Sequence, residues 1–101
     1  MKSRLNGINL LALRLHGGRA QTDAFTFQSL REHIDEVCEL LTADDPHWRA
    51  ETLDIIIHCY LMLERHGVSM EEIKKLQKER FGRFKEKIKE EISYGKKDSG
   101  D

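Results

Sequence analysis

Glu36 and Glu39, and further along Glu51 and Asp54, are pairs of acids three residues apart. On a helix that spacing puts both members of a pair on neighbouring points of one face. Two such pairs on antiparallel helices would bring four carboxylates together around one point. Hard divalent cations take oxygen ligands, and Mg2+ usually keeps some waters while binding a few carboxylates and the phosphates of a substrate. The hypothesis these residues raise is therefore a site for a divalent cation.

The competing reading is a solvated helix face. Glu32, Glu36 and Glu39 lie opposite an apolar seam of Leu30, Ile34 and Val37, and acids opposite such a seam are commonly just the wet side of a helix. The second pair is different. Leu53, Ile55, Ile56, Ile57, Cys59, Tyr60 and Leu63 cover almost every direction around the helix carrying Glu51 and Asp54, so its acids have little open water. Carboxylates in such surroundings persist only when paired, hydrogen-bonded or metal-bound, and four acids from two facing helices repel without a cation. Glu51, Asp54 and His58 share one stripe, where His58 reads as a hydrogen-bonded structural histidine.

The elements that must position these residues are helices. Leu5, Ile8, Leu11 or Ala12, and Leu15 recur at helical spacing, and Gly17-Gly18 ends that first helix by supplying residues free to adopt positive φ. Arg19 to Thr26 reads as a loop. Phe27, Leu30, Ile34, Val37 and Leu41 then give a second helix the three-and-four seam of a bundle, with Asp23 or Thr26 as its cap. Asp44-Asp45-Pro46 marks a restart, because Asp45 can cap free amides and Pro46 suits a first helical position. The third helix runs from there to His66. Gly67 stops it, and Ser69 with Glu72 forms a capping box for a fourth. The expectation is one all-α, four-helix domain over residues 1–92. The polar stretch 93–101 reads as a disordered tail.

Bulk properties narrow the alternatives. The 101 residues carry 17 basic and 18 acidic side chains, for a net charge of −1, which gives no global basic field for a nucleic acid polymer. No apolar run reaches the roughly 18 to 20 residues of a membrane span. The Ile8–Leu13 patch is followed by Arg14 and lacks a small-residue cleavage site, unlike a signal peptide. The expectation is a soluble, cytoplasmic protein with no membrane partner. Cys38 and Cys59 sit within apolar helical patterns and read as core thiols.

At the acid motifs the chain resembles the all-α nucleoside triphosphate pyrophosphohydrolases, the MazG-like proteins and the phosphoribosyl-ATP pyrophosphohydrolases. Their Glu-Glu-x-x-Glu run is matched by Asp35-Glu36-Val37-Cys38-Glu39, and their Glu-x-x-Asp by Glu51-Thr52-Leu53-Asp54. Ser29-Leu30-Arg31 is similar to the lead-in of MazG domains, and Leu63 through Ile73 is similar to their helix end, turn and next helix. The likeness spans roughly Phe27 to Lys87. It departs from the pattern in Asp35 for Glu, in a short connector between the acid helices, and in Leu53 at a place often small in relatives.

The resemblance implies that Glu36, Glu39, Glu51 and Asp54 hold Mg2+, with Mn2+ as a substitute. Water then cleaves between the α and β phosphates of a nucleotide, leaving a monophosphate and pyrophosphate. The cation neutralises phosphate charge and helps orient or deprotonate water. A triphosphate carries more charge than one cation neutralises, so Lys75, Lys78, Arg80 and Arg83 are candidate phosphate contacts, although most basic residues of the fourth helix read as a solvated face. Glu79-Arg80-Phe81-Gly82-Arg83-Phe84 resembles a Glu-Arg-Gly-Gly-Phe segment of several MazG-like proteins. A general or damaged (deoxy)nucleotide fits better than phosphoribosyl-ATP, whose enzymes usually carry a Ser-Gly-containing stretch missing here. Trp48, His47 and Phe25 either stack on a base or fill core. A third helix apolar nearly all round implies a homodimer or homotetramer, as in the family. The rival from another class is a non-catalytic helical interaction module.

Overall fold

The first two helices are separated by only two glycines. In the computed structural model, which describes residues 4–99 and side chains through residue 94, α1 spans Arg4–His16 and α2 begins at Arg19 and runs to Thr42. The φ of 89° at Gly17 and the bond from the Gly18 amide to the Leu13 carbonyl close α1 in a left-handed turn. The stretch expected as a loop, Arg19 to Thr26, is thus the first two turns of α2. Neither Asp23 nor Thr26 is a cap; Gly18 holds the N-cap position. Thr22 and Thr26 tolerate the helix interior because each hydroxyl donates to the carbonyl four residues back, Gly18 at 2.6 Å and Thr22 at 3.0 Å.

α2 ends in the same kind of turn, with Asp44 at φ 57° and the Asp45 amide bonded to the Leu40 carbonyl. Asp tolerates this conformation better than most residues. Asp45 then accepts a bond from the His47 amide at 2.9 Å, and α3 runs Trp48–Arg65. Gly67, at φ 84°, closes α3. Ser69 Oγ accepts from the Glu72 amide at 3.1 Å, which caps α4, Met70–Ser99. α4 continues into the stretch expected to be a disordered tail. Residues 100 and 101, and the side chains beyond Tyr94, lie outside the described residues. The fold is all-α, with no strand among the described residues, and no helix among them is long and apolar enough to cross a membrane.

The chain divides into two compact units, Met1–Val68 and Ser69–Asp101. In the first, α2 and α3 form the most extensive pairing and α1 packs on both. The α2–α3 pair is antiparallel, since Asp23 meets Arg65 at one end and His33 meets Glu51 further along. The second unit is the long helix α4.

The interior of the first unit overturns the expected seams. Phe27, Ile34 and Leu41 of α2 are exposed, as are Ile8, Leu11 and Leu15 of α1 and Leu53, Ile56 and Ile57 of α3. Asn9, Thr22, Thr26, Ser29 and Glu51 are buried instead. The inward face of α2 is Thr22, Thr26, Ser29 and His33, at three-and-four spacing, with the apolar stripe turned to one side and only Leu30, Val37 and Leu40 half-buried. Cys38, expected in the core, is exposed, and Cys59 is half-buried. A helix face with small hydroxyls can approach a neighbour closely, and here it wraps one long polar side chain, Arg65, whose side chain is 2% exposed.

Arg65 ties all three helices together. Its Nε donates to Asp23 Oδ1 at 2.9 Å, its Nη2 to Thr26 Oγ1 at 3.0 Å, and its Nη1 to Asn9 Oδ1 at 3.0 Å. Asn9 Nδ2 in turn donates to the Leu61 carbonyl at 2.9 Å and to Glu64 Oε1 at 2.6 Å. His66 Nε2 lies 2.7 Å from Asp23 Oδ2. Partial burial pushes the Asp23 carboxyl up, but the bonds from His66 and Arg65 and their charges outweigh this and hold it below its ordinary value. Among the described residues, no buried side-chain nitrogen or oxygen lacks a hydrogen-bond partner.

Candidate metal centre

Further along the same helix pair, away from Arg65, the acids come together. Glu36 lies three residues after His33 on α2, so both side chains project toward α3. There they meet Glu51, in the first turn of α3. His33 Nδ1 lies 2.6 Å from Glu51 Oε1, and His47 Nε2 lies 3.4 Å from Glu51 Oε2. Glu36 and Glu51 are close enough to share a hydrogen bond. One ligand atom from each of His33, Glu36 and Glu51 falls within 4.8 Å of the other two.

Two carboxylates can share a hydrogen bond only if one carries a proton. The bond to Glu51 and that residue's charge raise the Glu36 carboxyl above its ordinary value, while the bond from His33, followed by that from Glu36, lowers Glu51. Among the described residues, no Lys or Arg forms an ion pair with either acid. The ring of His58 stands 5.4 Å from that of His33. Burial, and then the proximity of His33, holds His58 below its ordinary value against the pull of Asp54.

Of the four acids expected to act together, the structure joins Glu36 to Glu51. Asp54 is half-buried and within electrostatic reach of His58. Glu39 is exposed, and among the described residues no side-chain hydrogen bond links Glu39 or Asp54 to the joined pair. Glu51, rather than Asp54, is the most buried acid of the set. Lys75, Lys78, Arg80 and Arg83 are exposed residues of α4 in the other unit. There Arg80 and Arg83 border an open depression of about 560 Å³ with Phe84 and Lys87, and the Arg80 guanidinium carbon lies 5.5 Å from the Phe84 ring centre.

Sequence reasoning passed over His33 and left His47 to stacking or packing. His33 was detectable as the residue one turn before Glu36 on the same face. His47 stands four before Glu51.

The donor set fits a divalent cation. Glu36 and Glu51 offer oxygens from two separate helices, the ligand type that hard divalent cations take. No family model, no curated protein and no solved structure matches the chain.

Proposed function

We propose that this protein is a nucleotide pyrophosphohydrolase dependent on Mg2+ or Mn2+, splitting a nucleoside triphosphate or related nucleotide into the monophosphate and pyrophosphate. The observation that carries this reading is the meeting of Glu36 and Glu51 across antiparallel helices with no fixed cation paired to either, among the described residues. The acid motifs, which resemble those of the all-α nucleoside triphosphate pyrophosphohydrolases, supply the reaction type and the four-helix bundle class to which the fold would belong. A (deoxy)nucleoside triphosphate is favoured over phosphoribosyl-ATP on the same motifs.

Glu36 and Glu51 would hold the cation, with Asp54 and Glu39 at the two ends of the acid stripe as further oxygen donors. When bound, the cation supplies neutralisation of phosphate charge and a lowered pKa for water. The chain's own part is positioning. His33 Nδ1 and His47 Nε2 stand 2.6 and 3.4 Å from the two oxygens of Glu51, and Glu36 presents its carboxyl group to the same point. The resemblance assigns phosphate contacts to Lys75, Lys78, Arg80 and Arg83, which belong to the other unit.

The exposed Phe27, Ile34 and Leu41 recur every seven residues along α2, which is the interval of a helix-pairing seam. Together with Leu53, Ile56 and Ile57 they support assembly as a homodimer or homotetramer, read out by light scattering. A cytoplasmic location goes with this reading.

The deciding experiment measures pyrophosphate release from a panel of nucleoside triphosphates with Mg2+ or Mn2+, alongside melting curves with and without the ions. Metal-dependent release that fails in Glu51→Gln supports the reading. No release with any nucleotide, together with no metal-dependent change in melting, would return the chain to a helical interaction module.

A further inference from the structure

The resemblance points to an all-carboxylate centre, yet the group the fold assembles includes an imidazole. We infer that His33 is a direct metal ligand, and that the centre prefers a first-row transition cation such as Mn2+ or Co2+ over Mg2+. The inference rests on the metal-centre reading above and assigns its third ligand and its choice of ion.

Geometry comes first. Ligands bound about 2.0–2.2 Å from one ion lie roughly 3 to 4.4 Å apart. One ring nitrogen of His33 and one oxygen each of Glu36 and Glu51 are all within 4.8 Å of one another, close to that range. Ligation through Nδ1 would take the place of its present 2.6 Å contact with Glu51 Oε1. His33 and Glu36 form a His-x-x-Glu pair on one helix, and Glu51 faces them from the next. Metal sites in helical bundles are commonly built from such three-residue Glu and His spacings on facing helices.

Chemistry then selects the ion. Mg2+ demands near-ideal octahedral oxygen ligation and gives up its waters reluctantly, so an imidazole held at this point does little for it. Imidazole suits later transition ions, carboxylate suits Mg2+, Ca2+ and Mn2+, and affinity for a mixed nitrogen and oxygen site rises along the series from Mn2+ through Co2+. Two surrounding features support the assignment. His47 Nε2 sits 3.4 Å from the second oxygen of Glu51 and orients that carboxylate, the kind of outer contact that fixes ligands in metal sites. The His58 ring packs 5.4 Å from the His33 ring at a tilt of 37° and limits its swing.

The test uses the full chain. Isothermal titration compares Mn2+, Co2+ and Mg2+, and pulsed electron paramagnetic resonance on the Mn2+ form looks for coupling to a ligand nitrogen. The expected result is binding of Mn2+ and Co2+ at least about tenfold tighter than Mg2+, with nitrogen coupling present in the wild type. That coupling should vanish in His33→Gln, with the transition-ion preference, and persist in His47→Gln. Circular dichroism on both variants checks the helices, and the wild-type nitrogen signal reads the ligation without any variant. Equal or tighter binding of Mg2+, no nitrogen coupling, or coupling that survives His33→Gln would overturn the assignment while leaving a carboxylate metal centre. Absence of binding by all three ions would overturn the inference together with the centre on which it rests.

Discussion

At one end of the α2–α3 pair Arg65 is enclosed by Asp23, Thr26 and Asn9, its charge matched by a carboxylate and its donors accepted by all three. Further along, the same two helices bring the exposed Glu36 to the buried Glu51, which have histidines for company but, among the described residues, no guanidinium or ammonium in an ion pair. One region is complete in charge and hydrogen bonding as it stands. The other is complete only in hydrogen bonding. A helix pair that matches its buried charge at one end, and brings two carboxyl groups together without a Lys or Arg partner further along, separates a structural region from the one the metal-centre proposal concerns.

The largest effect should come from breaking the matched region. Arg65→Met removes the cation and leaves Asp23 and Asn9 facing an apolar chain; losing one partner of a buried pair costs about 3–5 kcal/mol. Against a domain stability of about 5–15 kcal/mol, thermal melting should fall by roughly 15 °C or more. A melting temperature within a few degrees of wild type would deny the Arg65 network its structural role. In the acid region the same logic predicts loss of function with the fold retained. Glu51→Gln should cut metal-dependent pyrophosphate release by about a hundredfold or more and abolish any rise in Tm on adding Mn2+, while circular dichroism stays helical. Smaller losses, about tenfold in kcat/KM, are expected for Asp54→Asn and Glu39→Gln, since neither is joined to the central pair; each withdraws one charge from the cation's surroundings. Equal losses for all four acids would mean that the ion draws the outer two inward.

The smallest effect concerns acid pH. Asp23 has its folded pKa lowered, so its contribution to stability is fully present above an unfolded value of about 4 and is lost as pH falls through the lowered one. Tm should decline on acidification through that window, and Asp23→Asn should flatten the decline while lowering Tm at neutral pH. A decline of the same depth in the variant would assign the acid sensitivity elsewhere.

The turns were legible in the sequence because their chemistry is local. Gly17, Gly67 and the Ser69–Glu72 spacing mark ends that depend on backbone φ and on amides a few residues away. The helical spacings place Glu36 and Glu51 each on a helix face, but do not give which residue of the next helix that face meets. The inward faces were not legible either. Apolar periodicity assigns the inside to Ile8, Ile34 and Leu53, all of which are exposed, because the interior of this unit is organised around Arg65. That organisation depends on partners 39 to 56 residues apart in the chain, which no window of local pattern contains. The partner of His33 was hidden for the same reason: Glu51 lies eighteen positions further on.

The contacts of Asn9 carry a consequence for how the unit opens. Asn9 bonds at once to the Leu61 carbonyl, to Glu64 and to Arg65, so α1 cannot swing away without stranding a guanidinium that α2 and α3 alone do not fully accept. α1 is therefore not a detachable lid but one part of a single opening unit, and its amides should exchange with solvent at the same free energy as those near the C-terminal end of α3. Fraying in the rest of the chain should stop at this junction, and a chain shortened to begin at Gly17 should lose protection throughout α2 and α3 rather than lose one helix.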